Sequence, residues 1–284
     1  MRTPESPGPP GGGIAGVFDR AAETYDAVGV PWFGPIAAGL VEALEPQLGD
    51  RALDVGCGKG AVLLRLAEEI GPGGHVVGVD LAPRMVALAR AAAAAQLLAN
   101  VEVHVSDAMA PVVEETGFDL IASSLVLFFL PDPAAALTAW RRLLRPEGRL
   151  GVATFGRNDH GWDAVDTVFT PYLPQRMLDA RTSGQRGPFG SDAGMEALLS
   201  GAGFEDVRTV SATVEAVLRD PDHWYEFSWS HGQRAMWEAV PEALREHVRR
   251  RACSALEDVR RPDGTISFTQ QVRYTLGSRP LSRD

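Results

Sequence analysis

The stretch Ala52-Leu53-Asp54-Val55-Gly56-Cys57-Gly58-Lys59-Gly60 decides how this chain folds. An apolar lead-in ends at an acidic residue, three glycines follow at alternate positions, and a helical pattern then begins over residues 61–66. Glycine permits positive φ angles and a close approach of a ligand to the backbone. A helix N-terminus presents free N–H groups at the same place. The stretch therefore predicts a buried strand that turns sharply into a helix and holds a ligand at the turn.

A second acidic residue closes the next apolar run. Asp80 follows residues 75–79 and lies twenty residues after the last glycine of the turn, where a ribose-binding carboxylate is expected. The two features together predict a nucleoside-containing ligand. Gly56, Gly58 and Ala61 also satisfy the dinucleotide spacing G-x-G-x-x-[GA], so an NAD(P)-dependent oxidoreductase is one alternative that the spacing leaves open.

Composition and charge limit the function classes. The chain has 284 residues, enough for one large core and a smaller cap, and a formal net charge of −10, which argues against nucleic acid as a partner. Cys57 and Cys253 have no metal-ligand spacing. The Pro/Gly-rich start is not typical of a signal peptide, and no apolar run approaches the ~20 residues of a membrane span. We therefore expect a cytoplasmic protein that binds no membrane and no metal.

Strands and helices alternate through the first half of the chain, which predicts βαβ units and an α/β, doubly wound, Rossmann-like parallel sheet with helices on both faces. Two further strands are predicted at about 207–217 and 267–276, which makes seven predicted strands in all. The other predicted strands are 52–55, 75–79, 101–105, 118–123 and 149–154, and the predicted helices are 18–27, 36–45, 61–70, 83–98, 133–144, 193–202 and 243–259.

Breaks in this alternation suggest the domain organisation. We expect a disordered tail over residues 1–13, an N-terminal helical lid over 14–35, and one domain over 36–284. Helical cap insertions are expected at about 156–192 and 220–262. The second insertion is rich in aromatic residues, and we expect it above the C-terminal edge of the sheet, where open α/β sheets bind their ligands.

The motifs, taken in order, resemble one family. Residues 54–60 are similar to the first motif of the class I S-adenosylmethionine-dependent methyltransferases that act on small molecules. The resemblance continues through residues 78–85, 106–108, 118–124 and 143–150, and covers about residues 18–155. It implies a seven-stranded methyltransferase sheet and S-adenosylmethionine as the cofactor.

The resemblance also implies a role for each acidic residue at a strand end. Asp54 suits the ammonium group of the cofactor, and Asp80 can accept from both ribose hydroxyls because a carboxylate offers two acceptor oxygens. Asp107 can accept from the adenine amino group. The other cofactor-binding positions implied are Tyr25, Gly56, Cys57, Gly58, Leu81, Met85, Ser106, Ala108 and Ser123.

The aromatic insertion is the main indication of the substrate. Aromatic residues at i, i+1, i+3 and i+5 from Trp224 cannot share one helix face, so some pack in a core and others face a cavity or a partner. His231 is the candidate general base, with a plain surface histidine as the alternative. The candidate substrate-pocket residues are Trp32, Phe33, Phe155, Phe169, Tyr172, Trp224, Tyr225 and Trp229.

These features together predict an enzyme of specialised metabolism that transfers a methyl group from S-adenosylmethionine to a carbon or oxygen of an apolar, aromatic small molecule. Two alternatives remain at this stage: the NAD(P)-dependent oxidoreductase, and a non-catalytic protein that binds the cofactor. The sequence leaves the oligomeric state open, a homo-oligomer included.

Overall fold

A computed structural model describes residues 13–175, 177 and 187–281, and its centre is a seven-stranded sheet. Most of the predicted tail, residues 1–12, and part of the first predicted insertion lie outside the described residues. The strands are β1 Arg51–Val55, β2 His75–Asp80, β3 Val101–Val105, β4 Phe118–Ser124, β5 Leu144–Asn158, β6 Glu205–Leu218 and β7 Ile266–Ser278.

Ten α-helices surround the sheet in the described part of the chain. They are α1 Gly13–Ala21, α2 Phe33–Leu44, α3 Leu63–Ile70, α4 Pro83–Ala95, α5 Pro133–Leu143, α6 His160–Phe169, α7 Asp192–Gly201, α8 Pro221–Ser230, α9 Arg234–Ala239 and α10 Glu242–Glu257. Short 3-10 turns occur at Leu127–Phe129, Thr170–Tyr172 and Gly187–Gly190. None of the described helices is long and apolar enough to cross a membrane.

The strand order is β3-β2-β1-β4-β5-β7-β6. Strands β1 to β5 pair in parallel, and β1 lies between β2 and β4, with Leu53 opposite both Val77 and Ile121. The chain order reverses beside β1, so the turn after β1 lies at the switch point where such sheets bind ligands. The predicted doubly wound α/β sheet is therefore confirmed.

The last strand departs from the parallel pattern. Strand β7 runs antiparallel to both β5 and β6, because the chain leaves β6, passes through residues 219–265 and returns between the two strands. We call residues 219–265 the insertion. It holds α8, α9 and α10, so the aromatic segment does lie between the last two strands, as the sequence predicts.

The sheet separates two apolar layers. Alternate side chains of β1 enter opposite layers, with Ala52 in one and Leu53 and Val55 in the other. The first layer contains α2, α3 and the helices of the insertion, and the second contains α5 and α7. Because both faces are covered, β1 is apolar at Ala52, Leu53 and Val55, and its buried acidic residue Asp54 stands out.

One predicted helix is wrong in length. The sequence predicts a helix over residues 18–27, but α1 ends at Ala21 and a turn follows. The carbonyl of Ala21 accepts from Thr24 Oγ1 at 3.1 Å and from the Tyr25 N–H at 2.9 Å, and Asp26 then takes a φ of 52°. These bonds close the helix early and place Tyr25 in a turn. We call residues 13–35 the N-terminal segment.

Candidate active site

The glycine turn after β1 is built from three residues with positive φ. Gly56, Gly58 and Gly60 have φ angles of 76°, 52° and 100°. The backbone N–H groups of Gly56 and Cys57 both donate to the Val79 carbonyl, at 2.7 and 2.9 Å, which fixes the turn against β2. A side chain at Gly56 would overlap Val126, whereas one at Gly58 would enter open space. Gly56 therefore serves the packing of the turn, and Gly58 leaves room above it.

Asp54 is a buried carboxyl group that has no hydrogen-bond partner. It is 1% exposed, and neither of its oxygens is paired in the described part of the chain. Burial raises the pKa of Asp54 to about 8; the nearby Leu63 N–H lowers this pKa and the charge of Asp80 raises it, both by smaller amounts. A buried acceptor pair without a donor is costly, so this position suits a cationic donor from a ligand.

Asp80 connects the end of β2 to the turn. Its two oxygens accept from the backbone N–H groups of Gly58 and Ala82, each at 2.9 Å. Burial raises the pKa of Asp80, and these backbone donors oppose the shift. A carboxylate can accept about four hydrogen bonds, so Asp80 retains capacity for two ligand hydroxyls.

The segment after β3 forms a local turn. The Asp107 carboxylate is exposed and accepts from the Met109 N–H at 2.9 Å, which leaves its second oxygen for a ligand. The Ser106 hydroxyl accepts from the Val112 N–H at 2.8 Å, and the Ala108 carbonyl accepts from the Trp140 indole N–H at 2.7 Å. Ser106 and Ala108 thus hold the backbone in place, and Asp107 is the exposed group.

Three other predicted cofactor positions differ in what their side chains do. Ser123 is buried and donates from Oγ to the Val55 carbonyl at 3.0 Å, which joins β4 to β1. The Cys57 side chain is buried in the apolar layer beside α3, so any ligand contact there is made by its backbone. Leu81 remains half exposed beside Asp80, as expected of a side chain that covers a ligand.

The N-terminal segment packs beside this turn. Tyr25 stacks on Phe33 with ring centroids 4.3 Å apart, and it shares a small apolar cluster with Met85 at the start of α4. Burial raises the pKa of Tyr25 well above its usual value, with Asp26 and Asp80 adding to the shift. Lys59 Nζ donates to the Tyr25 carbonyl at 2.8 Å. The predicted Tyr25 and Met85 are therefore brought together with the glycine turn.

Lys59 is the single lysine of the chain, and it ties the N-terminal segment to the turn. We expect Lys59→Met to weaken the binding of adenosylhomocysteine by roughly fivefold, because one hydrogen bond to the segment is lost. Titration calorimetry measures the affinity, and amide exchange over residues 22–30 reports the loosening. Lys59→Arg, which keeps a donor, is the control. Unchanged affinity and unchanged amide exchange in Lys59→Met would show that this hydrogen bond does not stabilise the N-terminal segment.

Three of the predicted pocket aromatics lie together near the C-terminal edge of the sheet. Trp32 lies 6.4 Å from Phe155 and 6.4 Å from Phe227, measured between ring centroids, and Phe33 lies 6.2 Å from the His231 ring. Phe33, Phe155 and His231 keep part of their surface open to solvent. We call the group the aromatic cluster; it consists of Trp32, Phe33, Phe155, Trp162, Phe227 and His231.

The other predicted aromatics gather around Trp237 instead. Phe169 and Trp224 are fully buried, with ring centroids 4.7 and 6.1 Å from that of Trp237. Tyr225 and Trp229 pack against the same indole from the outer side, at 5.0 and 5.8 Å. Trp224, Tyr225 and Trp229 therefore form the interior of the insertion with Trp237, and Phe169 packs against it from α6. Tyr172 is half-buried against the same apolar layer.

The two histidines of the insertion have different roles. His223 is buried, accepts at Nδ1 from the Arg219 N–H at 3.1 Å, and contacts the Val28 carbonyl at 2.7 Å through Nε2. It therefore joins the insertion to the N-terminal segment. His231 accepts at Nδ1 from the Gln233 N–H at 3.3 Å, and its Nε2 is buried without a partner among the described residues. Burial lowers the pKa of His231 to about 4, so its ring is neutral at pH 7.

Sequence reasoning missed several residues of this region. Phe128 and Phe129 lie in the 3-10 turn that follows β4. The ring centroid of Phe128 is 5.7 Å from that of Phe155, and the ring centroid of Phe129 is 5.7 Å from that of Phe18. Their position after the fourth strand could have indicated them. Trp162 and Gln233 carry no pattern in the sequence that marks them. In the described part of the chain no group of three or more His, Cys, Asp or Glu residues could hold a metal ion.

The residues at the turn fit the expected cofactor. The unpaired Asp54 carboxyl suits its ammonium group, the space above Gly58 admits its amino-acid end close to the backbone, and Asp80 can accept from its ribose. No basic side chain is required because S-adenosylmethionine carries no phosphate. The same geometry fits a pyrophosphate poorly, since Asp54 and Asp80 place carboxyl oxygens where phosphate oxygens need hydrogen-bond donors.

Comparison with known proteins identifies the family. The chain is 35% identical over 276 residues to nocamycin O-methyltransferase of Saccharothrix syringae, an alignment that covers 92% of this chain and 96% of the relative. The chain belongs to the class I S-adenosylmethionine-dependent methyltransferases. A family model described as a methyltransferase domain matches residues 47–179 of this methyltransferase. Aklanonic acid methyltransferase of Streptomyces sp. is 37% identical over 166 residues, which cover 58% of this chain and 76% of that relative.

Solved structures share the fold at low sequence identity. Phosphoethanolamine N-methyltransferase 2 of Haemonchus contortus, in complex with S-adenosyl-L-methionine, superposes with a TM-score of 0.53 at 18% identity and covers 86% of this chain and 52% of its own. The [4+2]-cyclase SpnF superposes with a TM-score of 0.52 at 19% identity, covering 88% and 82%. A cyclase among the neighbours shows that this fold alone does not determine the reaction.

The predicted family, activity and cofactor are therefore confirmed: this methyltransferase uses S-adenosylmethionine. Neither the NAD(P)-dependent oxidoreductase nor the non-catalytic cofactor-binding protein is supported by these relatives.

Proposed function

We propose that this methyltransferase transfers the methyl group to an oxygen of an aromatic small molecule in specialised metabolism. The relative that matches nearly the whole chain is an O-methyltransferase, which favours oxygen over carbon as the acceptor atom. The aromatic cluster supports an aromatic acceptor, because its partly exposed rings lie where the N-terminal segment and the insertion meet. The formal net charge of −10 agrees with a small-molecule partner rather than a nucleic acid.

The cofactor supplies a methyl group that is already activated on a sulfonium sulfur. Asp54 would pair with its ammonium group, Asp80 with its ribose hydroxyls and Asp107 with its adenine amino group. Leu81 and Met85 would pack against the nucleoside. The protein then has mainly to bind and orient the two molecules, and orientation of this kind is worth up to about 7–11 kcal/mol.

The N-terminal segment and the insertion act, in this proposal, as a lid and a cap over residues 36–218. The contacts that join them include the Arg20–Glu238 ion pair at 2.5 Å, the His223 contact to Val28, and the Gly232 backbone beside Phe18. Closure of the two excludes water from the aromatic cluster, which strengthens electrostatic contacts inside it.

Asp80→Asn tests the cofactor side of the site. The substitution keeps the shape of the side chain but replaces charge-assisted hydrogen bonds with neutral ones, so we expect adenosylhomocysteine to bind about tenfold more weakly. Titration calorimetry measures this loss. An affinity equal to that of the unchanged protein would remove Asp80 from the ribose role.

Methyl transfer to matched aromatic compounds tests the acceptor side. The purified protein, labelled S-adenosylmethionine and a panel of 1-naphthol, 2-naphthol and indole should give methyl ethers of the naphthols, identified by mass spectrometry. Methylation of indole at carbon with no ether formed would overturn the choice of oxygen. Cofactor binding without transfer to any aromatic compound of a wider panel would overturn the aromatic acceptor.

A further inference from the structure

The turn between α8 and α9 holds two unpaired polar atoms that the cofactor site does not use. It runs through His231, Gly232 and Gln233. A side chain atom built on Gly232 would lie 3.5 Å from Phe18 Cζ and 4.0 Å from Phe129 Cζ. The turn therefore lies where the insertion meets the N-terminal segment and the segment after β4.

The first unpaired atom is Nε2 of His231, and it carries a hydrogen. Nδ1 accepts from the Gln233 backbone N–H at 3.3 Å, so in the neutral ring the hydrogen is on Nε2. That N–H is buried and has no partner in the described part of the chain. In this state His231, whose ring lies against Phe33 and Phe227, is a hydrogen-bond donor at Nε2, and that atom is not available to take a proton.

The second unpaired atom is Oε1 of Gln233, an acceptor of fixed orientation. The side chain is 7% exposed, and its Nε2 donates to Asp166 Oδ1 on α6 at 2.9 Å. This bond determines which end of the amide is the oxygen. Oε1 is buried and unpaired among the described residues.

A donor and an acceptor on one turn match a hydroxyl group, which accepts one hydrogen bond and donates another. Resting on the methyl transfer proposed above, we infer that His231 and Gln233 bind a hydroxyl of the aromatic acceptor: the hydroxyl accepts from His231 Nε2–H and donates to Gln233 Oε1. We call these two atoms the hydroxyl clamp. It is a specificity determinant, since each unpaired buried atom disfavours a ligand that cannot satisfy it.

The clamp distinguishes a hydroxyl from its methyl ether. An ether oxygen still accepts from His231, but it has no hydrogen for Gln233, whose oxygen then stays buried and unpaired. Ligands with a free hydroxyl should bind roughly tenfold more tightly than their methyl ethers.

The experiment compares 2-naphthol, 2-methoxynaphthalene and naphthalene as probes of the full-length protein saturated with adenosylhomocysteine. Quenching of tryptophan fluorescence gives each affinity. We expect the unchanged protein to bind 2-naphthol roughly tenfold more tightly than 2-methoxynaphthalene. In Gln233→Met, which keeps the volume and removes the acceptor, that ratio should fall to about one, while naphthalene binds as before.

Trp229→Phe is the matched control. It removes another buried, unpaired N–H that lies over Trp237 and outside the clamp, and it should leave the naphthol preference unchanged. Calorimetry with adenosylhomocysteine shows that each variant retains the cofactor site. Equal affinity for naphthol and its ether in the unchanged protein, or a preference that survives in Gln233→Met, would overturn the clamp alone. Cofactor binding with no binding of any naphthalene would overturn both the clamp and the aromatic acceptor.

Discussion

Asn in place of Asp54 should weaken the binding of adenosylhomocysteine by about a hundredfold or more and abolish the proton release that accompanies it. Asp54 is 1% exposed and unpaired, and burial raises its pKa to about 8. An ammonium group placed against it favours the carboxylate, and losing one partner of such a buried pair costs about 3–5 kcal/mol. The asparagine cannot supply the charge.

The sign of the pH dependence follows from the raised pKa. In the ligand-free protein Asp54 keeps its proton up to about pH 8, so binding of the ammonium group at about pH 7 must release it. Affinity should therefore rise between about pH 6 and pH 7.5. Calorimetry in phosphate and Tris buffers, which differ in ionisation enthalpy, measures the proton released.

Asp54 also affects stability: its contribution to the free energy of unfolding falls with rising pH, whereas the affinity for the ligand rises. The unfolded chain loses the Asp54 proton near pH 4, whereas the folded, ligand-free protein holds it to about pH 8. The folded state binds more protons in that window, so this contribution to the free energy of unfolding falls as pH rises through it. Asp54→Asn should lack this slope in urea unfolding.

Asp107→Asn is the control, because it neutralises an exposed acidic residue of the proposed cofactor site. It should leave proton release unchanged even if affinity falls. Proton release that persists in Asp54→Asn would mean that another group binds the ammonium.

Local sequence patterns predict the part of the protein that depends on short-range chemistry. The turn around Gly56 and the strand end at Asp80 follow from residue order, and the structure brings them together by hydrogen bonds of 2.7 to 2.9 Å. The antiparallel β7 depends on where the chain returns after a long insertion. The periodicity of a strand does not encode the direction in which it pairs.

The acceptor side shows why the rest could not be predicted. Trp224 and Trp32 each stand beside another aromatic residue in the sequence. In the structure, however, Trp224 packs on Trp237, whereas Trp32 lies in the aromatic cluster. Nothing in the sequence distinguishes Gln233 from other polar residues. The orientation of its amide is determined by a hydrogen bond to Asp166, which is 67 positions away. Contacts of this range arise only from the tertiary fold, so a periodicity that places aromatics on two faces cannot say which face meets a substrate.

Two glycines of the turn should respond to alanine in different ways. In Gly56→Ala the new Cβ overlaps Val126 and the φ of 76° is unfavourable, so we expect a loss of about 3 kcal/mol in the free energy of unfolding. In Gly58→Ala the φ is 52° and the Cβ enters open space, so the loss should be about 1–2 kcal/mol. That space is where the cofactor would approach the backbone, and binding of adenosylhomocysteine should fall by about tenfold to a hundredfold.

Urea unfolding and titration calorimetry on the same samples separate the two effects. The double variant Gly56→Ala/Val126→Ala removes the overlap but not the unfavourable φ, so it should recover about half of the stability that Gly56→Ala loses. A Gly58→Ala protein that binds adenosylhomocysteine normally would place the cofactor away from the turn, because no atom of the described residues beyond the two chain neighbours lies within 4 Å of that new Cβ. Gly56 and Gly58 would then both serve folding alone. A ligand other than the cofactor would be needed to explain why the buried Asp54 carboxyl has no partner among the described residues.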